Sequence, residues 1–255
     1  MTTDLTVEID AHVAVLEIHR PPANFLDHEL IRMLADTVTA LADDGRTRAI
    51  VLCSEGRHFC AGADLGSDLF GAARTETARA LYTEAVRLFR VQLPVVAAVQ
   101  GSAVGGGLGL ACAADFRVAS PSTRFHANFA ALGFHQGFGL SVTLPRIVGP
   151  QVAADLLLTA RRMDGTEARA VGLVDRLVED ADVRAAAVDL ARSLAASAPL
   201  AVRSIRETMR SGLADDVRDV LDRELAEQAR LWLTDDSVEG VAANLARRPP
   251  EFLGR

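Results

Sequence analysis

Apolar and polar residues alternate at the start of the chain, where the apolar positions are Leu5, Val7, Ile9, Val13 and Val15. A period of two is typical of a β-strand that has one buried face. The alternation breaks between Ile9 and Val13. The pattern therefore predicts two short strands that are joined by a tight turn.

Longer segments follow in which apolar side chains recur every three or four positions, at residues 26–41 and 75–91. This spacing predicts two amphipathic helices. The short apolar runs 49–53 and 95–99 predict strands that are buried on both faces. Strands and helices therefore alternate, which is typical of an α/β protein.

Small residues dominate the segment 101–107, which predicts a loop, and the apolar run after it predicts a buried helix that begins at Leu108. A further strand is expected over residues 115–119. From about Ala181 onward nearly every segment has helical periodicity, including a short helix expected to begin at Ser237.

The helical part of the chain is interrupted at Ser197 and Pro199, which favours a boundary there. We predict a mixed core over residues 1–196 and a helical C-terminal region over residues 197–255. The sequence contains no repeat of fixed period and no low-complexity segment.

The composition is that of a folded protein, because 49% of the 255 residues are hydrophobic and 24% are charged. All 27 Lys and Arg positions hold arginine, which excludes mechanisms that need a lysine Schiff base or a phosphate-loop lysine. The formal net charge of -7 gives no overall attraction to nucleic acid or to an anionic membrane. We therefore expect neither of them as a partner.

Three cysteines, Cys53, Cys60 and Cys112, are an odd number without a C-x-x-C pair. This pattern favours a reducing, cytoplasmic location over a disulfide framework. The first residues carry acids and no basic flank, unlike a secretory signal. His58 is near two of the cysteines, but no second ligand pair has a spacing that suits zinc, so we expect no metal site.

Two glycine-containing loops each follow a predicted buried strand, the first at residues 60–64 and the second at 105–107. Small residues let a carbonyl oxygen of a ligand approach backbone N–H groups, and a following helix adds the positive end of its dipole. Such loops predict an oxyanion site, where negative charge that develops on oxygen is stabilised. The spacing is equally compatible with glycines that only allow close strand–helix packing.

Sequence motifs around the two loops extend along the chain. They are His58-Phe-Cys-Ala-Gly-Ala-Asp-Leu65, Pro94-Val-Val-Ala-Ala-Val-Gln-Gly101, Gly105-Gly-Gly-Leu108, Asp115, Leu132-Gly133, Leu144-Pro-Arg-Ile-Val-Gly149, Leu156-Leu-Leu-Thr-Ala160, residues 168–174 and Arg247-Arg-Pro-Pro-Glu-Phe252. In order and spacing they resemble the enoyl-CoA hydratase/isomerase (crotonase) superfamily. The resemblance covers nearly the whole chain.

This resemblance implies an α/β fold, a crotonase-like spiral of repeated strand–strand–helix units with a helical C-terminal region that mediates trimerisation. Such trimers often pair, so a homotrimer or a hexamer is expected. The resemblance also implies an enzyme of fatty acid metabolism that acts on acyl- or enoyl-CoA thioesters. Coenzyme A is then part of the substrate, and no separate cofactor is expected.

Residue roles follow from the resemblance by matching motif positions. The backbone N–H groups of Ala63 and Gly106 would hold the thioester oxygen in an oxyanion hole. The residues implied at the adenine end of the CoA site are Ala61, Asp64 and Leu65. The tail residues that match a segment near the CoA nucleotide are Arg247, Arg248 and Phe252.

Hydratases of this superfamily carry two glutamates that position and activate water, and the matching positions here hold Gly109 and Phe129. Asp115 is the only acidic residue between Glu84 and Asp155, so a small alignment shift recovers neither carboxylate. Other members place an aspartate in the segment that matches 134–138, which has none here. The sequence thus argues against ordinary hydration by a glutamate pair.

The polar residues that remain in this region as catalytic candidates are His135, Gln136 and His126. An imidazole titrates near neutral pH, so His135 could transfer a proton as acid or base. Gln136 could orient water or substrate without taking a proton. The alternative for either histidine is a hydrogen-bonded imidazole packed in the core, which is the favoured interpretation of His126.

Together these features predict an enzyme that transforms an acyl- or enoyl-CoA thioester through an enolate-like intermediate, with hydratase- or isomerase-type chemistry. Two alternatives remain open. One is a non-catalytic acyl-CoA-binding protein that retains the oxyanion loops. The other is a CoA-thioester hydrolase or decarboxylase, which needs mainly those loops and a cavity without water.

Overall fold

The computed structural model describes residues 4–64 and 73–255. The strands in this part of the chain are β1 (Leu5–Asp10), β2 (Val13–Ile18), β3 (Ala49–Ser54), β4 (Val95–Val99), β5 (Ser102–Val104), β6 (Phe116–Ala119), β7 (Arg124–His126), β8 (Arg162–Asp164) and β9 (Arg176–Leu177). The α-helices are α1 (His28–Asp43), α2 (Arg74–Phe89), α3 (Gly106–Ala113), α4 (Leu140–Val148), α5 (Pro150–Thr159), α6 (Gly165–Ala170), α7 (Val183–Ala195), α8 (Pro199–Met209), α9 (Leu213–Leu231) and α10 (Asp235–Ala246).

The strands form two sheets that the chain visits in turn. The larger sheet has the order β1-β2-β3-β4-β6-β9, and all of its neighbours except β1 and β2 are parallel. The smaller sheet has the order β5-β7-β8. Strands β4 and β6 join the larger sheet, whereas β5 and β7, which follow them, join the smaller one. The chain therefore spirals through both sheets, and the predicted α/β spiral is confirmed.

The central strands of the larger sheet are buried on both faces, which explains their uninterrupted apolar sequence. In β3 all six residues are buried. Ile50 and Leu52 belong to the core cluster that includes α1 and α2. Val51 and Cys53 belong to the cluster on the other face, together with Val183 of α7. The sheet is thus a middle layer between helices.

The segment 101–107 is more ordered than the loop that was predicted there. Ser102–Val104 forms strand β5, because parallel pairing with β7 satisfies its backbone groups. Helix α3 begins at Gly106 rather than at Leu108. Its N-cap residue, Gly105, has a φ of 54°, which glycine adopts without strain, so the chain can enter the helix directly after it.

The predicted start of the last helix at Ser237 is also wrong, because α10 begins at Asp235. The side chain of Thr234 accepts a hydrogen bond of 3.2 Å from the backbone N–H of Ser237. Thr234 is therefore the N-cap residue, and Ser237 lies inside the first turn.

From Pro199 to the end of the chain all secondary-structure elements are helices, α8, α9 and α10. These helices pack on the rest of the chain. Helix α9 contacts α2 and α4, and α10 contacts the short turn Ala130–Leu132. The division into 1–196 and 197–255 stays a prediction. In residues 4–64 and 73–255 no single helix has the length and apolar character of a membrane span, although the bent pair Asp180–Ala195 and Pro199–Met209 passes that test together.

A buried ion-pair cluster fastens α8 to the larger sheet. The carboxylate of Asp115 accepts hydrogen bonds of 2.8 Å each from the N–H of Val95, from Nε of Arg206 and from Nη1 of Arg210. The Asp115 side chain is only 13% exposed. Both guanidinium groups therefore depend on this carboxylate for their counter-charge.

We expect Asp115→Asn to lower the free energy of unfolding by about 3–5 kcal/mol, because it leaves two buried cations without their partner. Urea denaturation followed by circular dichroism measures this loss. The matched control is Asp219→Asn, which removes a carboxylate that is 71% exposed and pairs with Arg218. Asp219→Asn should lower the free energy of unfolding by less than about 1 kcal/mol. Equal, small losses in the two variants would show that the cluster does not hold α8.

Candidate active site

The two glycine-containing loops meet at the wall of one cavity of about 450 Å³, called the main cavity here. The first loop contributes Ala61 and Ala63, and the second contributes Gly105 and Gly106. Much of the remaining lining is apolar, and its large side chains are Leu81, Phe129, Leu132, Phe134, Phe138 and Trp232. An aromatic-lined pocket with a few polar groups is typical of a small-molecule site.

Backbone pairing docks the first loop against β5. The N–H of Cys60 donates to the carbonyl oxygen of Ser102 at 3.1 Å, and the Cys60 carbonyl accepts from the N–H of Val104 at 3.0 Å. A Cβ at Gly62 would lie 2.8 Å from the Val104 oxygen and 3.7 Å from the nitrogen of Gly106. The loop can therefore approach the start of α3 only with glycine at position 62.

Ala63 and Gly106 each present a backbone N–H that donates no hydrogen bond within residues 4–64 and 73–255. Gly106 is the first residue of α3, and the N–H groups of a first helical turn have no partner inside the helix. The helix also carries partial positive charge at this end. The cavity wall thus suits an oxygen atom that carries negative charge.

A tyrosine and a glutamine form the polar part of the interior. The Tyr82 hydroxyl donates to Oε1 of Gln228 at 2.9 Å, and Nε2 of Gln228 donates to the carbonyl oxygen of His135 at 3.0 Å. Burial raises the pKa of Tyr82, so its hydroxyl stays neutral. Gln228 was not foreseen from the sequence, although its position on the same stripe of α9 as Leu221 and Leu225 was a usable signal.

Arg74 brings a positive charge to the lining of the main cavity. Its guanidinium carbon lies 3.9 Å from the ring centre of Trp232 and 5.3 Å from that of Phe134. Burial lowers the pKa of Arg74 to about 10, so it remains a cation near neutral pH. The two aromatic rings are themselves in edge contact, with centres 6.2 Å apart.

Of the two positions at which the resemblance implies glutamates, Phe129 lines the main cavity, whereas Gly109 is covered by Phe138 and is not among the described residues that line it. A Cβ at Gly109 would lie 2.6 Å from Cβ of Phe138, so the phenylalanine occupies the space beside this glycine. Phe129 packs edge-on against Phe134, with ring centres 6.1 Å apart. Among the described residues, the carboxylates that line the main cavity are those of Asp27 and Asp64.

His135 and Gln136 lie in the sequence between Phe134 and Gly137, which line the main cavity, but they are not among its described lining residues themselves. Nδ1 of His135 is 2.8 Å from the carbonyl oxygen of Gln136, and Nε2 of Gln136 donates to Oγ of Ser141 at 2.9 Å. These contacts are local. The catalytic roles of both residues stay predictions, and the geometry adds no contact with Ala63 or Gly106.

His126 lines a second cavity of about 410 Å³. Its Nε2 is 2.8 Å from the carbonyl oxygen of Ala160, and burial lowers its pKa, so the ring is neutral near pH 7. This environment agrees with a hydrogen-bonded structural histidine. The second cavity adjoins the main one, and the residues lining both are Phe25, Ala61, Ala63, Asp64 and Asn128.

Only some of the residues that the resemblance implies for CoA binding line the two cavities. Ala61 and Asp64 line both cavities, whereas Leu65 lies outside the described residues. Arg248 pairs with Glu239 on the surface, and Phe252 is 43% exposed. Neither they nor Arg247 line either cavity in the protomer. The role of this tail in CoA binding stays a prediction.

Cys60 lies in the first loop but is unsuited to nucleophilic chemistry. Its side chain is fully buried, and burial raises the pKa of the thiol to about 12. The group is therefore a thiol and not the reactive thiolate near neutral pH. Across residues 4–64 and 73–255, no three or more His, Cys, Asp or Glu side chains are grouped so that they could hold a metal ion.

Comparison with known proteins extends these observations. The family model for enoyl-CoA hydratase/isomerase matches residues 8–255. Crotonyl-CoA hydratase from Syntrophomonas wolfei is 32% identical over 99% of this chain and 98% of its own length. Mitochondrial methylglutaconyl-CoA hydratase from Homo sapiens is 35% identical over 95% of this chain and 74% of its own length.

Solved structures share the whole architecture. The crystal structure of an enoyl-CoA hydratase/isomerase from Pseudoalteromonas atlantica has a TM-score of 0.87 and 32% sequence identity, and the match covers 98% of this chain and 100% of that one. An enoyl-CoA hydratase from Mycobacterium avium subsp. paratuberculosis has a TM-score of 0.86 and 27% identity, covering 99% and 100%. The sequence match and the shared fold agree over nearly the full length, and the chain belongs to the enoyl-CoA hydratase/isomerase family.

Proposed function

We propose that this protein binds an acyl- or enoyl-CoA thioester and transforms it through an enolate-like intermediate, with hydratase- or isomerase-type chemistry. The thioester oxygen accepts hydrogen bonds from the N–H groups of Ala63 and Gly106. The observation that carries the proposal is this pair of amide donors, supplied by separate loops, at the wall of an apolar cavity. The names of relatives such as crotonyl-CoA hydratase support the ligand class.

The proposed chemistry depends on where charge develops. When a bond to the α-carbon, which is attached to the thioester carbonyl, breaks, the electron pair of that bond is delocalised onto the carbonyl oxygen. Donors that are already aimed at that oxygen need no reorganisation, and one of them is worth roughly 3–4 kcal/mol of transition-state stabilisation. The aromatic lining lowers the local dielectric constant, which strengthens these hydrogen bonds.

A second candidate reaction is decarboxylation of a thioester that carries a carboxylate on its α-carbon. The bond between the α-carbon and the carboxylate carbon breaks, the electron pair enters the enolate, and carbon dioxide leaves. A proton from solvent then adds to the α-carbon. The reaction needs no carboxylate base, and Phe138 occupies the space beside Gly109 where such a base is implied by the resemblance.

The proposal puts the acyl group in the main cavity and the nucleotide part of CoA beside Ala61 and Asp64. These residues also line the second cavity, to which Arg124 and Arg162 belong. Guanidinium groups are well suited to phosphate oxygens. CoA arrives as part of the substrate, and the proposed chemistry requires no further cofactor.

We further propose that the protein is a homotrimer, with a hexamer as the alternative. Helix α8 supports self-association, because Ile205 and Met209, four residues apart on one face of the helix, are exposed by 60% and 73%, and Leu200 near its start is exposed by 80%. Large apolar side chains grouped on one surface usually mark an interaction site.

The proposal is tested with a panel of CoA thioesters that includes enoyl, saturated and α-carboxylated acyl groups. Mass spectrometry of the products distinguishes gain of water, release of free CoA and loss of carbon dioxide, and chromatography separates isomers. We expect turnover of at least one thioester. Binding in calorimetry without any turnover would support the non-catalytic acyl-CoA-binding alternative, and absence of binding would exclude both.

Replacing Gly106 tests the amide donor itself. Gly106→Pro removes the N–H at the first position of α3, where a helix tolerates proline, whereas Gly106→Ala keeps the N–H. Both variants add a Cβ at position 106, about 3.0 Å from Cδ2 of Leu26, so this contact is the same in the two. We expect the proline variant to have a kcat roughly 10²- to 10³-fold below that of the alanine variant.

Circular dichroism should show the same helix content in the two Gly106 variants, so that the comparison reports the N–H and not the fold. Equal turnover by the two correctly folded variants would exclude Gly106 as an oxyanion donor.

A further inference from the structure

Phe138 has a backbone conformation that is unusual for a bulky residue. Its φ is 60°, in the left-handed region that favours glycine. The side chain is only 1% exposed and belongs to the lining of the main cavity. Such a conformation persists only where the surrounding structure fixes it, and it is enriched at functional sites.

Helix α9 fixes the loop around Phe138. The buried carboxylate of Glu224 accepts hydrogen bonds of 2.9 Å from the N–H groups of Gly139 and Ser141. One turn further along α9, Gln228 donates to the carbonyl oxygen of His135. The loop is therefore attached to α9 on both sides of Phe138, and this attachment holds the ring in place.

The side chain of Phe138 lies directly on the backbone of α3. A Cβ at Gly109 would be 2.6 Å from Cβ of Phe138 and 2.8 Å from its Cγ and Cδ1. Gly106 and Gly109 are three residues apart on α3, which places them on one face of the helix, about 4.5 Å apart along its axis. The ring therefore stands about one helical turn beyond the proposed oxyanion donor.

This arrangement limits the space beside the first carbons of an acyl group. Gly106 and Phe138 both line the main cavity. With the thioester oxygen at Gly106, as the proposed function has it, we place the α-carbon between that amide and the Phe138 ring. Because Phe138 already fills the space against Gly109, its side chain cannot move toward α3 to make room for an additional methyl group. The cavity as a whole has a volume of about 450 Å³.

We infer that the contact between Gly109 and Phe138 is a specificity determinant, which selects thioesters with an unbranched α-carbon and rejects those with an α-methyl branch. The inference rests on the proposed function, because it needs the thioester oxygen at Ala63 and Gly106. A methyl group that does not fit an apolar pocket lowers affinity or rate by roughly 10- to 200-fold.

The test compares butanoyl-CoA with 2-methylbutanoyl-CoA, two saturated ligands with the same main chain. Isothermal titration calorimetry gives the ratio of their dissociation constants. We expect the unmodified protein to bind butanoyl-CoA roughly 10- to 200-fold more tightly. In Phe138→Gly the ratio should fall to about one, since glycine accepts the backbone conformation without strain and leaves room for the branch.

Two further variants complete the design. Phe138→Leu keeps a smaller apolar side chain and should give an intermediate ratio of dissociation constants. This variant tests the inference even if the glycine variant does not fold. Phe134→Ala is the matched control, because Phe134 also lines the main cavity but packs against Phe129 and Trp232. It should change the affinity for both ligands while keeping their ratio.

The outcomes separate this inference from the proposed function. If both ligands bind the unmodified protein equally well, or if Phe138→Gly keeps the full discrimination, the specificity role of Phe138 is excluded while thioester binding stands. Loss of discrimination in Phe134→Ala as well would also overturn it, since the effect would then belong to the whole cavity. If neither ligand binds any variant or the unmodified protein, the proposed function fails and the inference fails with it.

Discussion

The backbone contact between the first glycine-containing loop and β5 is the constraint on which the site depends. Cys60 pairs with Ser102 and Val104 through its own N–H and carbonyl groups, so the loop is attached to the strand that leads into α3. A side chain at Gly62 would collide with the Val104 carbonyl. The proposed donors are thus positioned by backbone pairing, and their geometry is largely independent of any catalytic side chain.

The C-terminal helices shape the other side of the site. Glu224 is fully buried, and burial raises its pKa, while the N–H donors of Gly139 and Ser141 act in the opposite direction by stabilising the carboxylate. Gln228 and Trp232 come from the same part of the chain and line the main cavity. The helical tail therefore forms part of the wall of the main cavity and also packs against the core.

The strands and helices were largely predictable from local sequence patterns, whereas their arrangement as a spiral was implied by the resemblance to the enoyl-CoA hydratase/isomerase superfamily. The apolar runs of β3 and β4 and the spacing in α1 and α2 mark their elements directly. The start of α3 was missed because Gly106 has poor helix propensity, and only the turn at Gly105 reveals it. The residues that line the cavity were harder to predict, because Phe138 and Gln228 are brought to it by contacts between residues far apart in sequence. The roles of His135 and Gln136 remain predictions, because neither is among the described residues that line the main cavity.

The most direct test of this account is infrared difference spectroscopy of a bound acyl-CoA whose thioester carbonyl is labelled with carbon-13. Two amide donors on one oxygen withdraw electron density from the carbonyl bond, so its stretching band should move to lower wavenumber on binding and move back in Gly106→Pro. A band that stays at its position in water, in a complex whose formation calorimetry has established, would contradict the convergence of the two amides on the thioester oxygen.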